Sequence, residues 1–312
     1  MTPAIQAEGL VRDFGAIRAL DHLSLEVPAG IVFGFLGPNG AGKTTAIRAF
    51  LGLVEPTAGS ARVLGYDTRR ESDRIRERAG ALLEHHGLYE RLTAEQNLDF
   101  AGRIWRMPAS ERRARIRELL TQFGLWDRRR EVAGHWSRGM KQKLAVARAV
   151  FHRPPLVFLD EPTAGLDPVA SAALRDDLAA LAAAQGVTVF LTTHNLVEAE
   201  RLCDLVGVIR RGRLAALGPP ESLRPGDSSL VRVTGVGLGP QVAQAVAVAD
   251  GVLGTAMVDG ALEARLRDGA SAAPLVRALV EMGIDVDEVK RERPTLEDTF
   301  LELVSEDSGG QK

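Results

Sequence analysis

The sequence predicts an α/β protein with a doubly wound parallel sheet, a helical insertion and a small second domain of the α+β type. Three short apolar runs carry the first part of this prediction: IVFGFLG from residue 31, PLVFLDEP from residue 155 and GVTVFLTTH from residue 186. Each run is unbroken, as in a strand buried on both faces of a sheet, and each is followed by a helical pattern. Strands that alternate with helices in this way indicate parallel βαβ units.

The other elements of the first domain follow in chain order. IQAEGLVRDF and LSLEV alternate apolar and polar residues, which predicts two half-buried strands near the start. TTAIRAFLGLV predicts a helix directly after the first apolar run. Residues 93–150 carry no strand signal and predict a helical insertion that includes LTAEQNLDFAGRIW and SERRARIRELLTQFGLW. Acidic residues are interspersed among the arginines of residues 103–130, which favours a solvated face over a docking surface.

The composition turns to Pro, Gly and Ser at residues 219–228, which predicts a linker between a first domain at 1–218 and a second at 229–306, with a tail at 307–312. The second domain has the predicted order β-α-β-β-α-β-α, with a hairpin turn at Asp259-Gly260 and a last helix in TLEDTFLELV. This order is that of a ferredoxin-like sandwich.

Charge and hydropathy restrict the function classes. The chain has 312 residues, with 39 Lys and Arg against 41 Asp and Glu, so the net charge of −2 gives no indication of a nucleic-acid partner. A single cysteine, Cys203, cannot form an intrachain disulfide, which fits a reducing compartment. No window of about 18 residues is continuously apolar, so we expect a cytoplasmic chain without a membrane span.

A glycine-rich phosphate-binding loop is the most specific motif. GPNGAGKTT at residues 37–45 matches G-x-x-x-x-G-K-[ST] between a predicted buried strand and a helix. Such a loop directs backbone N–H groups at a phosphate, and we expect Lys43 to pair with its β and γ oxygens and Thr44 to ligate Mg²⁺. The alternative is a Gly-rich turn with an incidental lysine. The predicted loop residues are Gly37, Pro38, Asn39, Gly40, Ala41, Gly42, Lys43, Thr44 and Thr45.

Two adjacent carboxylates end the second apolar run. Asp160 and Glu161 lie where ligands bind in open α/β sheets, at the carboxyl end of a strand. We expect Asp160 to hold Mg²⁺ and Glu161 to deprotonate an attacking water. An acidic turn at the end of a strand is the alternative interpretation.

WSRGMKQKL from residue 136 opens a predicted helix at Ser137 and Gly139, which by itself indicates only a capped helix. The order and approximate spacing of GPNGAGKTT, SRGM, LDEPTAGLD and TTH, however, resemble those of the ATP-binding cassette (ABC) ATPases, whose fold is that of the P-loop NTPases. This resemblance covers residues 5 to about 218. SRGM occupies the place of the family signature LSGGQ, and Arg138 and Met140 depart from that form as in a branch of drug and lipid exporters.

The resemblance implies an ATPase that uses ATP and Mg²⁺, with Glu161, His194 and Lys43 as catalytic residues. It implies that Phe14 stacks on adenine, although a core phenylalanine is the alternative, and that Asp167 lies in the loop that crosses a dimer interface. His194 matches the histidine that senses the γ-phosphate, although a loop histidine with satisfied hydrogen bonds is the alternative. It also implies that Ser137 and Gly139 bind the γ-phosphate of a second cassette.

Position 84 departs from the family pattern. Glu84 occupies the place of a glutamine that reaches the Mg²⁺ and the attacking water, and a carboxylate there adds negative charge beside the γ-phosphate. The neighbouring His85 and His86 are interpreted as exposed loop residues.

The resemblance also implies partners. One phosphate loop and one signature per chain imply a head-to-tail homodimer, and a chain without a membrane span implies a separate integral membrane permease that docks near residues 84–98 and keeps the chain at the inner face of the membrane. PTLEDTFLELV resembles the C-terminal extension of daunorubicin-resistance exporters, which implies export of a hydrophobic or amphipathic substrate. A non-transport ABC ATPase of translation or DNA repair and a phosphate-loop kinase remain as alternatives.

Overall fold

The structure, a computed structural model, describes residues 3–223, 229–267 and 269–292, without the side chains of residues 184, 185, 229 and 292. The chain divides into two compact units, Met1–Pro220 and Glu221–Lys312. The strands of the first unit are β1 (Ile5–Phe14), β2 (Ile17–Val27), β3 (Val32–Leu36), β4 (Ala58–Val63), β5 (Tyr66–Asp67), β6 (Ala79–Leu82), β7 (Leu156–Asp160), β8 (Thr188–Thr193), β9 (Leu205–Arg210) and β10 (Arg213–Gly218). Its α-helices are α1 (Lys43–Phe50), α2 (Ser72–Arg78), α3 (Ala94–Ile104), α4 (Ala109–Gln122), α5 (Arg138–Ala149), α6 (Pro168–Gln185) and α7 (Leu196–Leu202).

The main sheet of the first unit has the order β10-β9-β3-β8-β7-β6, and its strands are parallel except for β10 at one edge. The three apolar runs form β3, β8 and β7, which are adjacent at the centre, and all their residues are buried, as predicted. Phe190 on β8 pairs in register with Phe33 on β3 and with Phe158 on β7. The carboxyl ends of these three strands therefore meet at one edge, where the sequence motifs continue.

A second, antiparallel sheet has the order β2-β1-β4-β5. Its strands β1 and β2 were predicted from their alternating apolar and polar residues. Five further strands were not predicted: β4 and β5 of this sheet, and β6, β9 and β10 of the main sheet. β6 is AGAL, too short and too poor in large apolar residues for a pattern. β4 is AGSARV, with only two buried residues.

The predicted helical insertion forms α3, α4 and α5, followed by β7. Thr93 and Gln96 form a capping box that begins α3. Arg115 of α4 is fully buried and donates hydrogen bonds to the carbonyl oxygens of Val150 at 2.8 Å and Phe151 at 3.1 Å. These bonds fasten α4 to the segment that follows α5. Within the described residues, no helix has the length and apolar character needed to cross a lipid bilayer.

The second unit consists of β11 (Ser229–Val236), α8 (Pro240–Val246), β12 (Val252–Val258), β13 (Ala261–Leu266), α9 (Ala273–Glu281) and β14 (Asp285–Glu292). Its antiparallel sheet has the order β12-β13-β11-β14, which is the ferredoxin-like arrangement predicted from the sequence. Asp259 and Gly260 both have positive φ in the turn between β12 and β13, as a tight hairpin requires. The predicted last helix lies outside the described residues, as do residues 224–228 of the predicted linker.

Candidate nucleotide-binding site

The glycine-rich loop joins β3 to α1, and its path requires glycine at two positions. Gly40 has a φ of 81° and Gly42 has a φ of 108°, which side chains rarely adopt. A Cβ on Gly42 would also overlap the carbonyl oxygen of Ala19. Lys43 at the start of α1 is only 7% exposed and donates a hydrogen bond from Nζ to the carbonyl oxygen of Gly37 at 2.6 Å. The loop therefore wraps closely around the amine of Lys43, the first residue of α1.

Asp160 at the end of β7 connects the loop helix to β8. Its Oδ2 accepts a hydrogen bond from Thr44 Oγ1 at 2.7 Å, and its Oδ1 accepts one from Thr192 Oγ1 at 2.5 Å. The side chain is buried. Two hydroxyl donors thus fix the carboxylate and bring the motif residues of three separate segments together.

Glu161 lies between Lys43 and His194. Its Oε1 is 3.1 Å from Lys43 Nζ, and its Oε2 is 2.8 Å from His194 Nδ1. The backbone is held in the left-handed region, with a φ of 50°, and its N–H donates to the carbonyl oxygen of Thr192 at 3.1 Å and to its Oγ1 at 3.0 Å. These bonds to β8 stabilise a conformation that costs a non-glycine residue about 1–3 kcal/mol.

A cavity of about 410 Å³ opens above this cluster. The sequence-predicted residues that line it are Pro38, Asn39, Gly40, Gly42, Lys43, Thr44, Thr45, Glu84, Asp160 and Glu161. Gly37 and Ala41 are buried residues of the same loop and do not line it. His194 belongs to the cluster through its contact with Glu161. The cavity thus combines a phosphate loop, which includes two threonine hydroxyl groups, with three carboxylates.

Besides Gly37, Ala41 and His194, four predicted site residues lie outside the lining of this cavity. Phe14 is 44% exposed, with the Arg12 guanidinium 4.3 Å from its ring centroid, so the alternative of a core phenylalanine is wrong. Ser137 and Asp167 cap α5 and α6: Ser137 accepts from the N–H of Met140 at 3.3 Å, and Asp167 accepts from the N–H of Ala170 at 2.9 Å. Gly139 is half-buried on α5.

Glu84 lines the cavity and also forms an ion pair. Its Oε2 is 3.2 Å from Arg48 Nη2 on α1, and its side chain is 57% exposed. The arginine therefore compensates part of the negative charge that a carboxylate brings to this position. No sequence pattern links residues 48 and 84, because they are brought together by the approach of α1 to the segment after β6.

Arg138, Gln142 and His86 also line the cavity, although no site role was predicted for any of them. The expectation that His86 is an exposed loop residue is wrong: it is half-buried, and burial lowers the pKa of its imidazole, with a further contribution from the positive charge of Arg138. The Arg138 guanidinium packs on Gly165, where a side chain would overlap it. The only indication of a site role in the sequence was that His86 lies close to Glu84 and that Arg138 follows Ser137.

Comparisons with known proteins agree with this geometry. A profile of the ABC transporter family matches residues 20–164. The daunorubicin resistance ATP-binding protein DrrA3 of Streptomyces coeruleorubidus is 40% identical over 309 residues, which are 97% of this chain and 96% of that protein. The chain belongs to the ATP-binding proteins of ABC transporters. The expected family and ATPase class are therefore confirmed, and the family does not favour a role in translation, DNA repair or kinase chemistry.

Two solved structures share the cassette fold. The protein cbiO1 from Clostridium perfringens, part of the ABC transporter complex cbiONQ, has a TM-score of 0.67 and 26% identity and covers 72% of this chain and 91% of its own. The cassette MJ0796, in a dimeric post-hydrolysis state bound to ADP and Pi, has a TM-score of 0.63 and 25% identity and covers 69% of this chain and 98% of its own. The predicted P-loop NTPase fold is thereby confirmed for the first unit of this ABC ATP-binding protein.

Proposed function

We propose that this ABC ATP-binding protein energises export of a hydrophobic or amphipathic substrate, a drug, an antibiotic or a lipid, through a separate integral membrane permease. Two copies close head to tail on ATP, and hydrolysis opens them. The observation that carries the proposal is the position of Glu161 between Lys43 and His194. The relation to DrrA3, a daunorubicin resistance protein, supports the class of substrate.

The residues of the chain then divide the work of hydrolysis. The loop at residues 37–45 binds the phosphates through backbone N–H groups and the start of α1. Lys43, which contacts Glu161, turns to the β and γ oxygens and releases that carboxylate. Glu161 accepts a proton from water as the water oxygen bonds to the γ-phosphorus and the bond to the β–γ bridging oxygen breaks, which yields ADP and phosphate. His194 keeps Glu161 oriented through Oε2.

The donor set fits Mg²⁺. Thr44 and Asp160 offer hydroxyl and carboxylate oxygens within one hydrogen-bonded pair, and Mg²⁺ prefers such hard ligands. In the described part of the chain, no cluster of three or more His, Cys, Asp or Glu could hold a metal. The ion would therefore take its other ligands from phosphates, water and Glu84, and it would neutralise charge on the transferred phosphoryl group.

Three predicted site residues that do not line the cavity of their own chain support the proposed dimer. Ser137, Gly139 and Asp167 lie outside the lining of their own cavity, so they are available to the cavity of a second copy, which they complete at the γ-phosphate. Phe14 is exposed at the end of β1 and stacks on adenine. Each copy contributes its cavity and the surface that carries Ser137, Gly139 and Asp167. A closed symmetric dimer therefore has two equivalent sites.

The permease docks on exposed aromatic residues on α3 and in the segment just before it. Tyr89 and Phe100 are both exposed, and their ring centroids are 4.8 Å apart in an edge-on contact. Ile104, on α3 with Phe100, is another exposed apolar side chain. This surface overlaps the segment 84–98 expected to receive the permease, and docking there would hold the cytoplasmic chain at the inner face of the membrane.

The substitution Glu161→Gln tests this function. It removes the proton acceptor but keeps the size of the side chain, so we expect hydrolysis to fall by at least about a hundredfold and an ATP-bound dimer to appear in size-exclusion chromatography. Glu111→Gln, at an exposed glutamate of α4, is the matched control and should behave as the wild type. A variant that stays monomeric with saturating MgATP contradicts the composite site. Co-purification with a membrane permease, rather than with ribosomes or DNA, tests the transport role.

A further inference from the structure

Glu198 on α7 is a buried carboxylate that the proposed reaction does not use. It is 0% exposed, which is unusual for glutamate. Its Oε2 accepts hydrogen bonds from Thr163 Oγ1 and from Thr193 Oγ1, both at 2.8 Å. Its Oε1 is buried and has no hydrogen-bond partner among the described residues. A buried carboxylate that is only partly satisfied is costly, so it calls for an explanation beyond packing.

The two threonines belong to the segments that carry the catalytic pair. Thr193 is the last residue of β8 and precedes His194. Thr163 is two residues after Glu161, in the segment that leads to Asp167. Glu198 therefore joins these segments from a third element, and it does so through a single oxygen atom.

The start of α7 does not need this carboxylate. Asn195 already caps the helix, because its Oδ1 accepts from the backbone N–H of Glu198 at 3.2 Å. The N–H of Asn195 in turn donates to Thr193 Oγ1 at 2.9 Å. The Glu198 side chain is thus free of a capping role, and its contacts are those between the two segments.

The surroundings of Glu198 shift the pKa of its carboxyl group in opposite directions. Burial raises the pKa of its carboxyl group, Arg175 on α6 lowers it, and the negative charge of Glu161 raises it further. The net direction is upward, which favours the neutral acid. A glutamine has nearly the same shape and is neutral, so it can accept from both threonines in the same way.

We propose that Glu198 is a positioning residue that holds Glu161 and His194 in their catalytic arrangement by accepting the hydroxyl groups of Thr163 and Thr193. This inference depends on the proposed roles of Glu161 and His194. It assigns Glu198 no contact with nucleotide, so its loss should act on turnover and leave binding unchanged.

The decisive variants are Glu198→Leu and Glu198→Gln. Leucine fills the buried volume without an acceptor, so we expect an unchanged Tm and MgATP affinity within about twofold, but a kcat lower by about tenfold or more, because small misplacement of catalytic groups is costly. Glutamine should restore most of the kcat. Thr163→Val should lower kcat partly, and Thr163→Val combined with Glu198→Leu should be no slower than Glu198→Leu alone. Val197→Ala, at an exposed residue of the same helix, is the matched control.

Three results would overturn the inference: a wild-type kcat in Glu198→Leu, a Glu198→Gln variant as slow as Glu198→Leu, or a loss of kcat/KM that comes entirely from KM. If Glu198→Leu fails to fold, Glu198→Gln together with Thr163→Val makes the same test through kcat. Failure of the proposed function is distinguishable, because hydrolysis would then persist in Glu161→Gln. If hydrolysis depends on Glu161 but not on Glu198, the inference about Glu198 is wrong and the proposed function still stands.

Discussion

Lys43 and Glu161 form an ion pair of 3.1 Å, in which the amine of the phosphate loop contacts the carboxylate next to Asp160. Both side chains are largely shielded from solvent. Nucleotide phosphates must therefore compete with Glu161 for Lys43. In the proposed mechanism, the pair thus links phosphate binding to the release of the Glu161 carboxylate.

Lys43→Ala should weaken MgATP binding by at least about tenfold, because a charge-assisted contact to phosphate contributes about 1.5–3 kcal/mol. Isothermal titration calorimetry measures this affinity directly. Lys141→Ala is the control, since Lys141 forms an exposed ion pair with Glu90. An unchanged affinity in Lys43→Ala would count against the loop as the phosphate site.

Arg48→Ala should lower MgATP affinity about two- to fivefold, because it leaves Glu84 uncompensated beside the phosphates and an exposed pair contributes at most about 1 kcal/mol. Glu84→Gln in the Arg48→Ala background should restore the affinity. A double-mutant cycle at low and at high salt measures the coupling, which should shrink at high salt. Additive effects of the two changes would show that the ion pair does not act on the site.

His152 should make the first unit sensitive to acid. Its ring stacks on Trp105 with centroids 3.8 Å apart, and burial lowers its pKa from 6.5 to about 4. Between these values the unfolded chain binds a proton that the folded chain does not, so the free energy of unfolding falls as the pH drops from 6.5 to 4. Urea unfolding at pH 7.5 and pH 5 should therefore show a larger loss for the wild type than for His152→Phe, which keeps the stack. His135→Phe, at an exposed histidine, should lose as much as the wild type.

Gly34→Ala should destabilise the protein by about 1–3 kcal/mol, because overpacking of a closed core is costly. A Cβ at this position of β3 would lie 2.6 Å from Cys203 Sγ and 3.1 Å from Leu36 Cδ1. Cys203→Ala removes the sulfur and should recover most of that loss in the double variant. Urea unfolding measures all four chains of the cycle. Equal losses with and without Cys203 would contradict the contact as the cause.

The sequence predicted the parts of this protein that are local. β3, β7 and β8 were recognisable because each is a continuous apolar run, and Lys43, Asp160 and Glu161 because each lies in a contiguous motif at the end of such a run. β4 and β6 were missed because few large apolar residues mark them.

Contacts between distant segments could not be predicted. Arg48 approaches Glu84 only because α1 packs beside the segment after β6. Arg138 reaches the cavity from α5, and Glu198 reaches Thr163 from α7. These relationships depend on how helices pack on the sheet, and no spacing in the chain encodes them.

The left-handed backbone of Glu161 has a cost that the contacts of its side chain offset. A glycine would adopt a φ of 50° without strain, but Glu161→Gly would also leave the largely buried amine of Lys43 without its carboxylate partner, and losing one partner of a buried ion pair is costly. The backbone strain at Glu161 is therefore offset by the same contacts that place its carboxylate between Lys43 and His194.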